Sequence, residues 1–229
     1  MGVLIVQIVV LLLLAIGCAL CAWYFPYPSP VVRRWLPPRQ RWPELQVRGW
    51  LAGAPFQKSF LRYFYRDPER DPPDGLDLLA PADGIIRGAD IQGDIRYLVI
   101  ALSFWDMHVQ RSPLEGVVVS VESLGDSFMD GEGQEFAFLR GKPCPVQKRV
   151  VIRTSAGILA IRLITSLAAR RLETWINAGE YVARGQRIGK ILLGSTVVLE
   201  LPPSMSLTVQ IGDRVWAGET VVALHKAPA

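Results

Sequence analysis

Three side chains in this sequence have the right types to do chemistry together: a serine, a histidine and an aspartate. Ser195 lies in Leu193-Gly194-Ser195-Thr196, within an apolar stretch running from Ile191 to Leu201. A Gly-Ser bond so placed is a candidate site at which the chain cuts itself and turns Ser195 into a cofactor. Four common residues recur by chance in many proteins, so the weight of this peptide depends on what stands upstream. His108 stands 87 residues before Ser195, in Trp105-Asp106-Met107-His108-Val109-Gln110-Arg111-Ser112-Pro113, with an acid two positions away. Imidazole is the side chain best suited to moving protons near neutral pH. Asp83, 112 residues before Ser195, sits in Pro81-Ala82-Asp83-Gly84. An Asp-Gly pair commonly marks a turn, and a carboxylate can also orient a histidine as in a Ser-His-Asp arrangement. The two accounts of Asp83 are compatible. The other histidine, His225, lies four residues from the C-terminus and reads as a solvated tail residue.

Groups so far apart in sequence act only if the fold gathers them. The chain has 229 residues, enough for a membrane anchor and one catalytic domain. Residues 1–25 are almost wholly apolar, with Gln7 the one strongly polar side chain. At about 1.5 Å per residue such a run crosses a bilayer core of roughly 30 Å as a helix. It has no basic start of the kind that opens a cleaved signal peptide. Arg33, Arg34, Arg39, Arg41 and Arg48 follow it, which by the positive-inside rule puts the catalytic domain on the cytoplasmic face. The net charge of +4 is concentrated there and suits an anionic lipid surface better than nucleic acid. Cys18, Cys21 and Cys144 have neither metal-ligand nor disulfide spacing, so no metal site is expected.

Residues 26–55 carry seven prolines and read as a stiff connector. Phe56, Phe60, Leu61 and Phe64 recur at helical spacing among Lys58, Arg62 and Arg66, as an interfacial or a surface helix would. From Gly84 onward short Val-, Ile- and Leu-rich runs alternate with Gly and Pro: 97–102, 117–121, 149–152, 158–164, 188–193, 197–201, 207–211 and 221–224. This spacing predicts a mainly β, β-rich α+β catalytic domain over 56–229. The stretch 166–177 fits helix or strand. Two internal repeats predict quasi-repeated hairpins: residues 179–188 match 212–221, and Pro81-Ala82-Asp83-Gly84 echoes Pro113-Leu114-Glu115-Gly116. The first pair resembles hairpins of biotinyl and lipoyl carrier domains, but no lysine stands at the turn to be modified.

Four motifs in order resemble the phosphatidylserine decarboxylase family, in particular its shorter bacterial and archaeal branch. They are Tyr63-Phe64-Tyr65-Arg66-Asp67-Pro68-Glu69-Arg70, Ala80-Pro81-Ala82-Asp83-Gly84, Asp106-Met107-His108-Val109-Gln110-Arg111-Ser112-Pro113 with Gly116, and Gly194-Ser195-Thr196. The resemblance covers about Phe60 to Leu224. It implies a zymogen that splits between Gly194 and Ser195 into a β chain ending at Gly194 and an α chain that starts with a pyruvoyl group made from Ser195. His108, oriented by Asp83, would deprotonate the Ser195 hydroxyl, and the two fragments would stay together as an α/β heterodimer. The pyruvoyl carbonyl would take the serine amine of membrane phosphatidylserine, accept the electrons released with carbon dioxide, and lead to phosphatidylethanolamine. Arg66, Arg70 and Arg111 are candidates for contact with the substrate, the first two with its phosphate. Arg170 and Arg171 match an Ala-Arg-Arg element of the short branch.

The match departs from the short branch at Leu193-Gly194-Ser195-Thr196, where Phe-Gly-Ser-Arg is common. Longer members have two histidines in the region of His108 and this chain has one. Two other functions compete: pyruvoyl chemistry on another aminoacyl lipid or a small amino acid, and a non-catalytic membrane-anchored adaptor built on the repeated hairpins.

Overall fold

The computed structural model describes residues 2–24, 66–103, 106–128, 136–139, 143–166, 171–192 and 195–225, without the side chains of 2–4, 19–24, 137, 192 and 195. The connector, the amphipathic stretch around Phe60, Arg170, Leu193 and Gly194 therefore lie outside the described residues. The chain divides into two units, 1–66 and 67–229.

Among the described residues the first unit contains one helix, α1 (Gly2–Tyr24), with no acid in its first turn and no base in its last. Its aliphatic side chains are exposed from Ile5 to Ile16. Among the described residues no helix is long and apolar enough to cross a membrane. The side chains described in α1 run from 5 to 18, fewer than the ~20 that a span requires.

The second unit is mainly β. Its strands are β1 (Leu78–Leu79), β2 (Gly84–Gln92), β3 (Ile95–Leu102), β4 (Val109–Arg111), β5 (Gly116–Leu124), β6 (Gln147–Thr154) and β7 (Gly157–Ile164). There follow β8 (Arg171–Thr174), β9 (Tyr181–Val182), β10 (Arg187–Leu192), β11 (Ser195–Leu201), β12 (Ser206–Leu207), β13 (Arg214–Val215) and β14 (Val221–Leu224). Eight of them form a sheet in the order β13-β2-β3-β11-β7-β6-β5-β9, and two smaller sheets run β1-β14-β12 and β4-β10-β8. One core lies between them, with Leu78, Ile100, Ile152, Ile161, Ile188, Ile191, Val197, Leu199 and Val222 drawn from all three sheets.

This order is that of a duplicated unit. Strands β4 to β10 form one copy without interruption; β1 to β3 and β11 to β14 form the other, opened between β3 and β11 to admit the first. The hydrogen bonds repeat with the strands. Val215 is registered with Gly84 as Val182 is with Gly116. The Leu79 N–H donates to the Pro113 carbonyl at 3.0 Å, and the Arg111 N–H donates to the Pro81 carbonyl at 2.9 Å. Gly84 and Gly116 are equivalent too, and for the same reason. A Cβ at Gly84 would stand 2.4 Å from the Ala101 carbonyl oxygen, and one at Gly116 would stand 2.2 Å from that of Arg153. Only glycine lets β2 and β5 start so close to their neighbours.

Alternation along β11 divides its side chains between two faces. Val197, Leu199 and Leu201 enter the main core. Val198 packs outward with Tyr97, Val99 and Ile164 under Phe136, Phe138 and Leu139, which belong to or adjoin a short 3-10 helix at Ala137–Leu139. Glu200, also on the outer face, pairs with Arg149 of β6 at 2.7 Å and with Arg162 of β7. Arg149 also reaches Glu122 of β5 at 3.3 Å, so charge crosses four strands of the sheet.

The apolar runs find most strands. The ambiguous stretch contains a strand, β8. The run at 207–211 does not continue as one, because the Gln210 N–H turns to the Asp213 carboxylate at 2.9 Å and ends the extension. Strand β2 escaped the sequence pattern because its outer half is exposed and polar.

Candidate active site

Two short crossings join the copies, and they carry His108 and the Gly194-Ser195 bond. The chain leaves β3 at Leu102, passes through 103–108 and enters β4. It returns from β10 at Leu192 and enters β11 at Ser195. Since β3 pairs with β11 and β4 pairs with β10, the strands that flank one crossing are paired with the strands that flank the other. At one end Ser195 is registered with Leu102. At the other, the Ile191 N–H donates to the His108 carbonyl at 3.0 Å. His108 is buried. Topology thus brings a histidine and a serine that are 87 residues apart onto neighbouring segments.

Strand β11 is held on both sides almost from its first residue. Ser195 through Leu201 is registered with Leu102 through Arg96, and Thr196 through Glu200 with Ile164 through Ala160. A prosthetic group made from Ser195 fits this position, because a new chain start there would remain fixed between β3 and β7.

Asp83 precedes β2 and is completely buried. Its loop lies against β4 through the bond from the Arg111 N–H to Pro81. The carboxylate accepts two bonds from Arg70 Nη2, at 3.2 and 2.9 Å, and one from the Ala217 N–H at 2.8 Å. Burial pushes its acidity constant above the usual aspartate range; the Arg70 charge and the Ala217 N–H oppose this, and the Asp106 charge adds to it. Arg70 is itself gripped from the far side by Glu219 at 3.0 Å.

Asp106 is a second buried carboxylate, two residues before His108. It accepts the N–H and the hydroxyl of Ser103, both at 2.7 Å, and pairs with Arg214 of β13. These bonds tie Ser103, just past β3, and Asp106 to the strand beside β2. His108 is thus a buried imidazole close after a segment held by Asp106, and an imidazole is a group that can accept a proton from a hydroxyl within its reach.

The arginines considered for the substrate are all buried. Arg66, the last residue of the first unit, is buried. Arg70 meets Asp83 and Glu219. Arg111 is buried and donates to the carbonyls of Gly185 and Pro68 at 3.1 and 3.2 Å and to Asp67 at 3.1 Å. Arg70 and Arg111 thus knit the interior of the fold in this structure. Arg171 is exposed and pairs with Glu173. His225 is tied by its N–H to Asp77 at 2.9 Å, more firmly than a free tail residue.

Sequence reasoning missed Asp106 as a brace, Arg70 as the partner of Asp83, and Gln110, a fully buried amide on β4. The repeat of Pro81 at Pro113 held a signal for the last, since it aligns Gln110 with Leu78.

A family model described as phosphatidylserine decarboxylase matches residues 57–223. A phosphatidylserine decarboxylase proenzyme of Solibacter usitatus is 33% identical over 183 residues, covering 76% of this chain and 86% of that one. A protein of Archaeoglobus fulgidus named as an archaetidylserine decarboxylase proenzyme is 37% identical over 162 residues, covering 71% and 76%. A phosphatidylserine decarboxylase proenzyme of Desulfotalea psychrophila is 32% identical over 173 residues, covering 72% and 78%.

Proposed function

The chain belongs to the phosphatidylserine decarboxylase family, and we propose that it is a membrane-anchored proenzyme that cuts itself at Gly194-Ser195 and then converts phosphatidylserine to phosphatidylethanolamine. As a member of that family it is a carboxy-lyase. The observation that carries the self-cleavage is the pairing at the two ends of the crossings, Ser195 with Leu102 and Ile191 with buried His108.

In maturation His108 takes the proton of the Ser195 hydroxyl, whose oxygen attacks the Gly194 carbonyl carbon and moves the peptide bond to an ester. Asp83 supplies the buried negative charge that orients His108 and favours its protonated form. Loss of the Ser195 α-proton then expels the Gly194 carboxylate, and water replaces nitrogen, which leaves as ammonia. The resulting pyruvoyl group supplies the ketone that takes the substrate's amine and accepts the electrons released with carbon dioxide. The fragment that starts at Ser195 is held through β11 and through the Asp83–Ala217, Arg70–Glu219 and Asp106–Arg214 contacts. The two fragments therefore act as one α/β heterodimer.

Helix α1 anchors the enzyme, supported by its 23-residue run without acid or base. The arginines from Arg33 to Arg48 support a catalytic unit on the cytoplasmic face. There the substrate's head group is within reach while its acyl chains stay in lipid.

A denaturing gel of purified protein tests the maturation, with Ser195→Ala as the uncut control, and a lipid extract after expression tests the product. A second substrate, the serine head group on an archaetidyl core, is favoured by the name of the Archaeoglobus relative. Supplying both lipids to the processed enzyme separates the two.

A further inference from the structure

Gln110 is completely buried on β4, and among the described residues neither its Nε2 nor its Oε1 has a hydrogen-bond partner. A buried amide left in this state costs stability, and native structures rarely keep one without a use. The duplicated half of the fold shows what packing alone asks for at this place. Leu79 and Arg111 are equivalent through their reciprocal bonds to Pro113 and Pro81, which makes Leu78 the equivalent of Gln110. Leu78 is completely buried in the main core. The fold therefore fills this position with an apolar side chain where nothing else is required of it.

On β4 the place of Gln110 is also specific. The bond from Ile191 to the His108 carbonyl continues the β4–β10 ladder back to His108. His108 and Gln110, two residues apart on that ladder, share one face of the strand. An amide presents a donor and an acceptor side by side. Its complement is a group with an acceptor and a donor on neighbouring atoms, such as the carboxylate and amine of an amino acid.

We infer that Gln110 binds the amino-acid head group of the substrate, Nε2 donating to the carboxylate and Oε1 accepting from the amine. This rests on the function proposed above and names the residue that distinguishes a serine head group from one without a carboxylate. A site built to hydrogen-bond a polar group loses affinity sharply when the match is removed.

Gln110→Leu tests the inference because it copies the side chain of the other half. The processed variant should melt at the wild-type temperature or above, split as fully as wild type, and show a KM for short-chain phosphatidylserine raised about 10-fold or more, with a smaller change in kcat. Gln110→Glu, which places an anion against the substrate carboxylate, should raise KM further. A lower melting temperature with unchanged KM would make the amide structural and overturn the inference. Impaired splitting with normal KM in the processed fraction would assign the amide to maturation and overturn it too. A wild-type chain that stays intact would remove both the proposed function and this inference, whereas a split wild type with an unaltered variant KM would remove the inference alone.

Discussion

Leu102 and Ser195 face each other across β3 and β11 in the position that Thr154 and Gly157 hold across β6 and β7. In the second pair residues 155 and 156 alone close the hairpin; in the first, an entire copy of the repeated unit intervenes. The proposed cut thus falls at the mouth of an opened hairpin. The same opening pairs Ile191, shortly before the cut, with His108, because β4 and β10 are the first and last strands of the inserted copy. Breaking the bond leaves β11 paired along both edges, so cleavage need not unfold the sheet.

Arg70 supplies the countercharge for Asp83. Replacing it with glutamine removes that charge and leaves only the Ala217 N–H to oppose burial, so the Asp83 carboxyl is pushed still higher. If maturation needs ionised Asp83, a smaller fraction of Arg70→Gln is competent at any given acidic pH. Self-cleavage should slow by about 10-fold or more at neutral pH, and its acid limb should move to higher pH. The check is the cleavage rate followed against pH on gels. A profile lowered uniformly, without displacement, would make Arg70 a purely structural group.

The burial of Asp83 also fixes the sign of its effect on stability. Its folded acidity constant is raised above the ordinary value of 3.8, so the folded chain holds this proton where the unfolded chain has lost it. Its contribution to stability is present below 3.8 and is lost as pH rises through the folded value. Asp83→Asn removes the titration. Melting temperatures measured from pH 4 to 7, about the range in which carboxyls shifted upward titrate, should fall with pH in wild type relative to the variant. A parallel pair of curves would contradict the assignment.

Little of this second layer was legible in the sequence, although the frame was. Apolar runs mark β3, β5, β6, β7, β10, β11 and β14 because those strands put branched side chains into the core. The repeated Gly-x-x-Val-x-x-Gly segments mark the duplication because their glycines, Gly179, Gly185, Gly212 and Gly218, all take the positive φ of the same turns. Strands β1, β4 and β13 are two or three residues long and leave no period to read. Asp83 was recognised through its motif, but its grip by Arg70 and Ala217 joins residues 13 and 134 positions away. Such pairs leave no local pattern. The partners of Arg70 and Arg111, interior carboxylates and carbonyls, were equally hidden in the sequence.

Glu200 should matter for holding the C-terminal segment. It is almost fully buried between Arg149 and Arg162, which are themselves mostly covered. Glu200→Gln keeps the shape but removes the anion shared by Arg149 and Arg162, leaving Arg149 only Glu122, at a cost of about 2 kcal/mol after allowance for partial solvent exposure. The melting temperature should fall by about 4–8 °C. An unchanged midpoint would show that the network contributes little.

Mass spectrometry of the C-terminal fragment tests the central claim most directly. Purified wild-type protein should yield a fragment of residues 195–229 whose N-terminus is a pyruvoyl group, one ammonia lighter than a serine start and blocked to Edman sequencing, while Ser195→Ala gives only the full 229-residue chain. A wild-type chain that remains intact, or a fragment beginning with unmodified serine, would contradict it.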